Sequence, residues 1–160
     1  MSTFSIPELA VPFFFRDRPA AVPGDLRPEW RIAVLLLLLR KCCRENRSSF
    51  GRLHVLNWAA RSEDGHSELL EIIAGAADPD TITVRIEPAL NRAVEYARGE
   101  NLVEIVRGDR VQLSERGVSL ADDIAGTGEI FLSEKRFIAA IGRRLTEDTV
   151  NRILKPSGGF

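Results

Sequence analysis

The hydrophobic pattern is densest from Pro28 onward. Ile32, Leu35, Leu36, Leu39 and Cys43 fall on one helical face, and Ala33, Val34, Leu37 and Leu38 make most of the other faces apolar too. Proline suits a first helical turn, so a helix is predicted from Pro28 to about Cys43. A helix that is apolar all round must be covered on more than one side. A small domain rarely does this alone. The extra face, with Leu37 and Leu38 on it, is therefore expected to meet the N-terminal arm, a second copy of the helix or a protein partner.

Downstream the pattern changes period several times. A second helix, capped by Ser48 or Ser49, carries Phe50, Leu53, Leu56, Trp58 and Ala60, and Ser62-Glu63-Asp64-Gly65 is predicted to break it. A short third helix holds Leu69, Leu70, Ile72, Ile73 and Ala76, and Asp78-Pro79-Asp80 signals a turn. Thr81 to Ile86 alternates and is β-branched, which predicts a strand. Pro88 opens a helix with Leu90, Ala93, Val94 and Ala97 on one face, and Gly99 is expected to end it in a left-handed cap. Leu102–Arg107 and Arg110–Leu113 flank Gly108-Asp109, read as a two-residue hairpin loop. Ser114 caps a helix with Val118, Leu120, Ala121 and Ile124, and Gly126-Thr127-Gly128 is a break. Helices are then predicted at Glu134–Arg144, capped by Ser133, and Glu147–Leu154, capped by Thr146.

Residues 1–27 read differently. Pro7, Pro12, Pro19 and Pro23, with Pro28 just beyond, forbid a regular helix, yet Phe4, Ile6, Leu9, Val11 and Phe13-Phe14-Phe15 make the segment apolar. Three adjacent phenylalanines exposed to water are an aggregation hazard. An extended arm packed on its own domain or on a partner is expected. The predicted organisation is thus an arm (1–27), a central domain (28–125), a C-terminal helical extension (129–155) and a flexible tail (156–160).

Composition narrows the function classes. The formal net charge of −1 argues against non-specific coating of nucleic acid. Arginine carries nearly all positive charge; the lysines are Lys41, Lys135 and Lys155. Cys42 and Cys43 are adjacent in a helix, with no disulfide framework or zinc spacing, which fits a reducing cytoplasm. The apolar run Ile32–Leu39 is too short to span a bilayer, and the first residues lack the pattern of a signal peptide. His54 and His66 have no partners at metal-ligand spacing, Ser67 and the cysteines have no base arrangement, and there is no phosphate-binding glycine loop. Asp122-Asp123 point apart on a helix. No catalytic residue, metal or cofactor is expected.

The order helix, hairpin, capped helix over Pro88–Ile124, with Leu113-Ser114-Glu115-Arg116-Gly117-Val118-Ser119-Leu120 leading out of the hairpin, resembles winged-helix domains of the broad prokaryotic regulator type. The resemblance implies a mainly α fold with a small β component: a winged helix-turn-helix-like core, here with an extended N-terminal arm and C-terminal helices. The chain departs from the pattern where a predicted strand, Thr81–Ile86, precedes the helix that would enter DNA. The Phe-rich arm, the Leu-rich helix and Arg52-Leu53-His54-Val55-Leu56-Asn57-Trp58-Ala59 are also similar to small middle subunits of bacterial three-component ATPase systems associated with phage defence.

Winged helices read double-stranded DNA through the helix before the wing. The resemblance makes Asn91, Arg92 and Arg98 candidate base readers, and Arg107 and Arg110 phosphate clamps. A second basic patch joins Arg40, Lys41, Arg44, Arg47 and Arg52, and Arg143-Arg144 form a smaller one. Against DNA reading, Glu87–Arg110 holds four arginines and five acids, a poor balance for contacting phosphate. Arg107-Gly108-Asp109 is hairpin chemistry rather than an adhesion signal. The expected function is a non-catalytic adaptor in a bacterial multi-component, ATPase-linked complex, meeting a protein partner or homodimer mate through Phe13, Phe14, Phe15, Leu37 and Leu38, with DNA as an auxiliary contact. The competing expectation is a dimeric DNA-binding transcriptional regulator.

Overall fold

The computed structural model describes residues 27–155, so the arm and Phe13-Phe14-Phe15 lie outside the described residues. The chain is mainly helical with one small antiparallel sheet of three strands. Helix α1 (Pro28–Cys42) starts on its proline without a side-chain cap, as a ring-fixed φ allows. Ala33 to Leu39 are all buried, and the covering comes from α2, α4, α5 and α6 described below. Leu37 and Leu38 are each 1% exposed inside the chain's own core. Helices α5 and α6, beyond the hairpin, fold back and pack on α1.

After α1 the chain turns sharply through Glu45 and Asn46, both left-handed (φ 54° and 55°). It enters a strand that periodicity missed, β1 (Arg47–Ser49), because three residues with two serines leave no alternation to see. Ser49 then caps α2 (Phe50–Ala60), accepting from the Arg52 N–H. Helix α3 (Glu63–Ile73) begins where a loop was expected. Ser62 accepts from the Gly65 N–H at 3.0 Å, so the supposed breaker is a cap and first turn. Gly65 is required there, since a Cβ would stand 2.9 Å from the Ala59 carbonyl oxygen.

Residues 82–87 are irregular, not the predicted strand. Ile82 is buried and Thr83 and Arg85 are exposed, so alternation correctly reports extended backbone. Among the described residues the segment has no ladder partner, and the three strands there are β1, β2 and β3, in the order β1-β3-β2. Helix α4 (Pro88–Gly99) buries Leu90, Ala93, Val94 and Ala97 as predicted. Its left-handed residue is Asn101 (φ 57°), not Gly99; the Leu102 N–H returns to the Ala97 carbonyl at 2.8 Å. Strands β2 (Val103–Val106) and β3 (Arg110–Leu113) pair with Val106 opposite Arg110. The turn is therefore three residues, Arg107–Asp109, with Arg107 and Gly108 left-handed.

Helix α5 (Glu115–Gly126) opens on Ser114, which accepts from the Gly117 N–H. The Ser114 N–H donates to the Leu102 carbonyl at 3.0 Å, and a Cβ on Gly117 would meet that same carbonyl oxygen at 2.0 Å. The Ser-x-x-Gly spacing is thus the joint that seats α5 on the base of the hairpin. Helix α6 (Leu132–Ile141) starts after left-handed Phe131 without the expected Ser133 cap. Helix α7 (Glu147–Leu154) is capped by Thr146 as predicted. Phe137, Ile138, Ile141, Val150 and Ile153 from these helices join the same hydrophobic cluster as α1. Trp30 ties α1 to Glu134 of α6 at 3.1 Å.

Two glycine substitutions should have opposite signs in chemical denaturation. Gly117→Ala is expected to cost about 2–4 kcal/mol, because backbone must move to admit the methyl group. Gly99→Ala, with open space around it and no positive φ, is expected to stabilise by about 0.5 kcal/mol.

Candidate functional site

The predicted site residues sort onto two concavities. Beside α4, a groove of about 540 Å³ is lined by Phe50, Gly51 and His54 of α2, Ile86, then Asn91, Val94, Glu95 and Arg98 of α4, Ile105 of β2 and Leu154 of α7. Asn91 and Arg98 therefore share a face, with Glu95 between them. Arg92 lies around the helix, in a shallow depression with Pro28, Arg31, Ala89, Ala93 and Tyr96. The structure does not gather Asn91, Arg92 and Arg98 into one reading surface. Ile86, in the groove, is 68% exposed and Tyr96, in the depression with Arg92, is 60% exposed, both large apolar groups left in water. Sequence reasoning passed over both, although Tyr96 sits outside the buried stripe of its helix and was a visible signal.

The floor of the groove is fixed by one carboxylate. Glu87, just before α4, receives Arg31 of α1 at 2.9 Å and also pairs with Arg61 at the end of α2. Arg31 is only 6% exposed, so without Glu87 it would be a buried charge lacking this counter-ion. The Glu87 backbone N–H donates to Nδ1 of His54 at 3.4 Å, so the ring must be unprotonated at that nitrogen. His54 is a packed histidine of α2, as expected, that anchors the start of α4. Burial holds its pKa below the ordinary histidine value, while the hydrogen bond with Asn91 and the Glu87 charge pull the other way. His66, in the first turns of α3, stacks on Phe137 with centroids 4.6 Å apart.

The second concavity is arginine-lined. Arg44, Arg47, Arg52, Arg110 and Arg143 surround about 380 Å³ together with Glu45, Glu147, Cys42 and Leu145. The turn at Glu45 and Asn46, the first turn of α2, the start of β3 and the α6–α7 connection each supply part of the wall. The predicted basic patch is thus split. Arg44, Arg47 and Arg52 are joined by Arg110 and Arg143, whereas Arg40 makes forked contacts of 2.9 and 3.2 Å with Asp122. Lys41 lies apart, beside Ala125, Lys135 and Ile138. Arg107 is exposed at the hairpin turn and does not line the cavity that Arg110 lines. Only tertiary contact joins Arg110 and Arg143 to the patch, which no local spacing could reveal.

The thiols near this cavity are not poised for chemistry. Burial pushes Cys42 up to about 12, and burial also raises Cys43. Neither is a thiolate at neutral pH, which removes the usual basis for a cysteine nucleophile. Among the described residues no three His, Cys, Asp or Glu side chains gather where they could hold a metal ion, and no helix is long and apolar enough to cross a membrane.

His54 makes stability depend on pH with a defined sign. The unfolded histidine takes up a proton near 6.5, while the folded one resists until lower pH. Stability is therefore complete above that value and falls as pH drops below it, by at most about 1.4 kcal/mol per pH unit. Urea unfolding across this range should show the slope in the native sequence and lose it in His54→Gln. Comparisons with protein-family models, with curated proteins and with solved structures found no match to this chain.

Proposed function

We propose that the chain is a non-catalytic adaptor built on a winged-helix-like core, and that it binds an apolar segment of a protein partner in the groove beside α4. The carrying observation is the lining of that groove: Phe50, Ile86, Val94, Ile105 and Leu154 form an apolar floor, with Asn91, Glu95 and Arg98 as its polar rim. Such a surface suits two or three apolar anchors and one complementary charge pair. It suits DNA poorly, because phosphate affinity depends on a surplus of cations. The sheet order β1-β3-β2 and the capped helix after the hairpin support the winged-helix reading. The resemblance to middle subunits of three-component ATPase systems supports a multi-component bacterial complex as the setting. Burial of Leu37 and Leu38 moves the proposed contact from α1 to α4.

A dimeric winged-helix DNA-binding regulator is the second reading. It is favoured by Arg92, Arg98 and Arg107, which are exposed and make no ion pair among the described residues.

Photo-crosslinkers placed at Ile86 and Arg98 of the full chain in its native cell, with Glu68 on α3 as control, separate the two. The adaptor predicts that both groove positions trap the same protein and Glu68 does not. Ile86→Asp should reduce co-purification of that protein about tenfold or more, as expected for an anchor, with an unchanged melting temperature because Ile86 is exposed. Crosslinks confined to residues 1–26 or to a second copy would contradict it. So would duplex binding that Arg98→Ala and Arg107→Ala abolish while Ile86→Asp does not.

A further inference from the structure

The arginine-lined cavity has more positive charge than the described residues neutralise. Arg47 is paired with Glu45, and Arg52 with Glu147 at 3.4 Å. Glu147 is further engaged by the Ser49 hydroxyl, which donates at 2.9 and 3.2 Å. Both carboxylates in the wall are therefore committed. Arg44, Arg110 and Arg143 make no ion pair or side-chain hydrogen bond among the described residues. Nε of Arg52 is buried and has no acceptor.

Like charges converge on one small space only at an energetic cost. Here they arrive from four separate parts of the chain. An anion inside the cavity would offset the repulsion. The forked guanidinium matches phosphate oxygens in pairs. The size, about 380 Å³, lies in the range of small-molecule sites, roughly 300–1,000 Å³.

The geometry points to a binding site for the phosphate groups of a small phosphorylated ligand, such as a nucleotide or another phosphate ester, held by Arg44, Arg52, Arg110 and Arg143. A compact ligand fits better than a nucleic-acid backbone. Glu45 and Glu147 stand in the wall, and Asp109 and Asp148 adjoin Arg110 and Glu147 in the sequence. A continuous strand would run past these carboxylates, whereas one or two phosphate groups need not. The site is independent of the groove beside α4.

Isothermal titration of the full chain at low salt tests this with inorganic phosphate, pyrophosphate, ATP and a DNA duplex as separate probes. Pyrophosphate and ATP are expected to bind, more tightly than phosphate and less tightly as salt rises. Arg143→Gln and Arg110→Gln should each weaken them about tenfold or more. Arg92→Gln, on the far side of α4, should change nothing. Arg44→Gln, at an exposed position, provides a third variant that does not threaten the fold, with thermal melts as the check. Absence of pyrophosphate and ATP binding would overturn the proposal, as would binding that the cavity variants leave intact. Duplex binding tighter than ATP and lost in the same variants would overturn it in favour of a nucleic-acid backbone.

Discussion

From Ala33 to Leu39 every side chain of α1 is buried, and this requirement organises the molecule. Each leucine removed from water contributes about 2 kcal/mol, but only if something covers it on every side. The covering is assembled from distant sequence: α2, α4, α5 and α6 all pack on it. Hydrogen bonds and ion pairs then fix the angles. Trp30 reaches Glu134, Arg40 grips Asp122, and Arg31 meets Glu87. The helix is a central pillar enclosed by the chain's own elements.

Enclosing α1 decides what remains available for function. With that pillar internal, the exposed recognition features are those its covering creates. The groove exists because Glu87 draws α1, α2 and the start of α4 together, leaving Ile86 outside the join. The arginine cavity exists because α6 must double back to cover α1. Its connection to α7 then brings Arg143 to the turn at Glu45 and Asn46. Both sites are by-products of core packing in origin, and both differ chemically from the surface around them.

What the sequence disclosed followed the range of the interaction involved. Ser49, Ser114 and Thr146 mark helix starts through contacts three residues long, Pro28 through its own fixed φ, and all four starts are present. The Ser114–Gly117 joint was visible as a motif, though its reason, the Leu102 carbonyl, was not. Failures came where a long-range partner decides the outcome. Thr81–Ile86 has the composition of a strand without a neighbour to pair with, while Arg47–Ser49 lacks that composition and pairs with β3. Leu37 and Leu38 looked like an interface because an apolar helix face does not announce which cover it will receive. The arginine site was half legible: Arg44, Arg47 and Arg52 were together in sequence, but Arg40 and Lys41 belonged elsewhere and Arg110 and Arg143 arrived only through folding.

In the isolated chain α1 is covered by the chain's own elements. Native-state hydrogen exchange of the purified full chain at several protein concentrations tests it most directly. The amides of Val34–Leu39 should exchange only through global unfolding, at rates independent of protein concentration. Protection of these amides that grows with concentration, or exchange faster than global unfolding in the isolated chain, would contradict it and return α1 to an intermolecular interface.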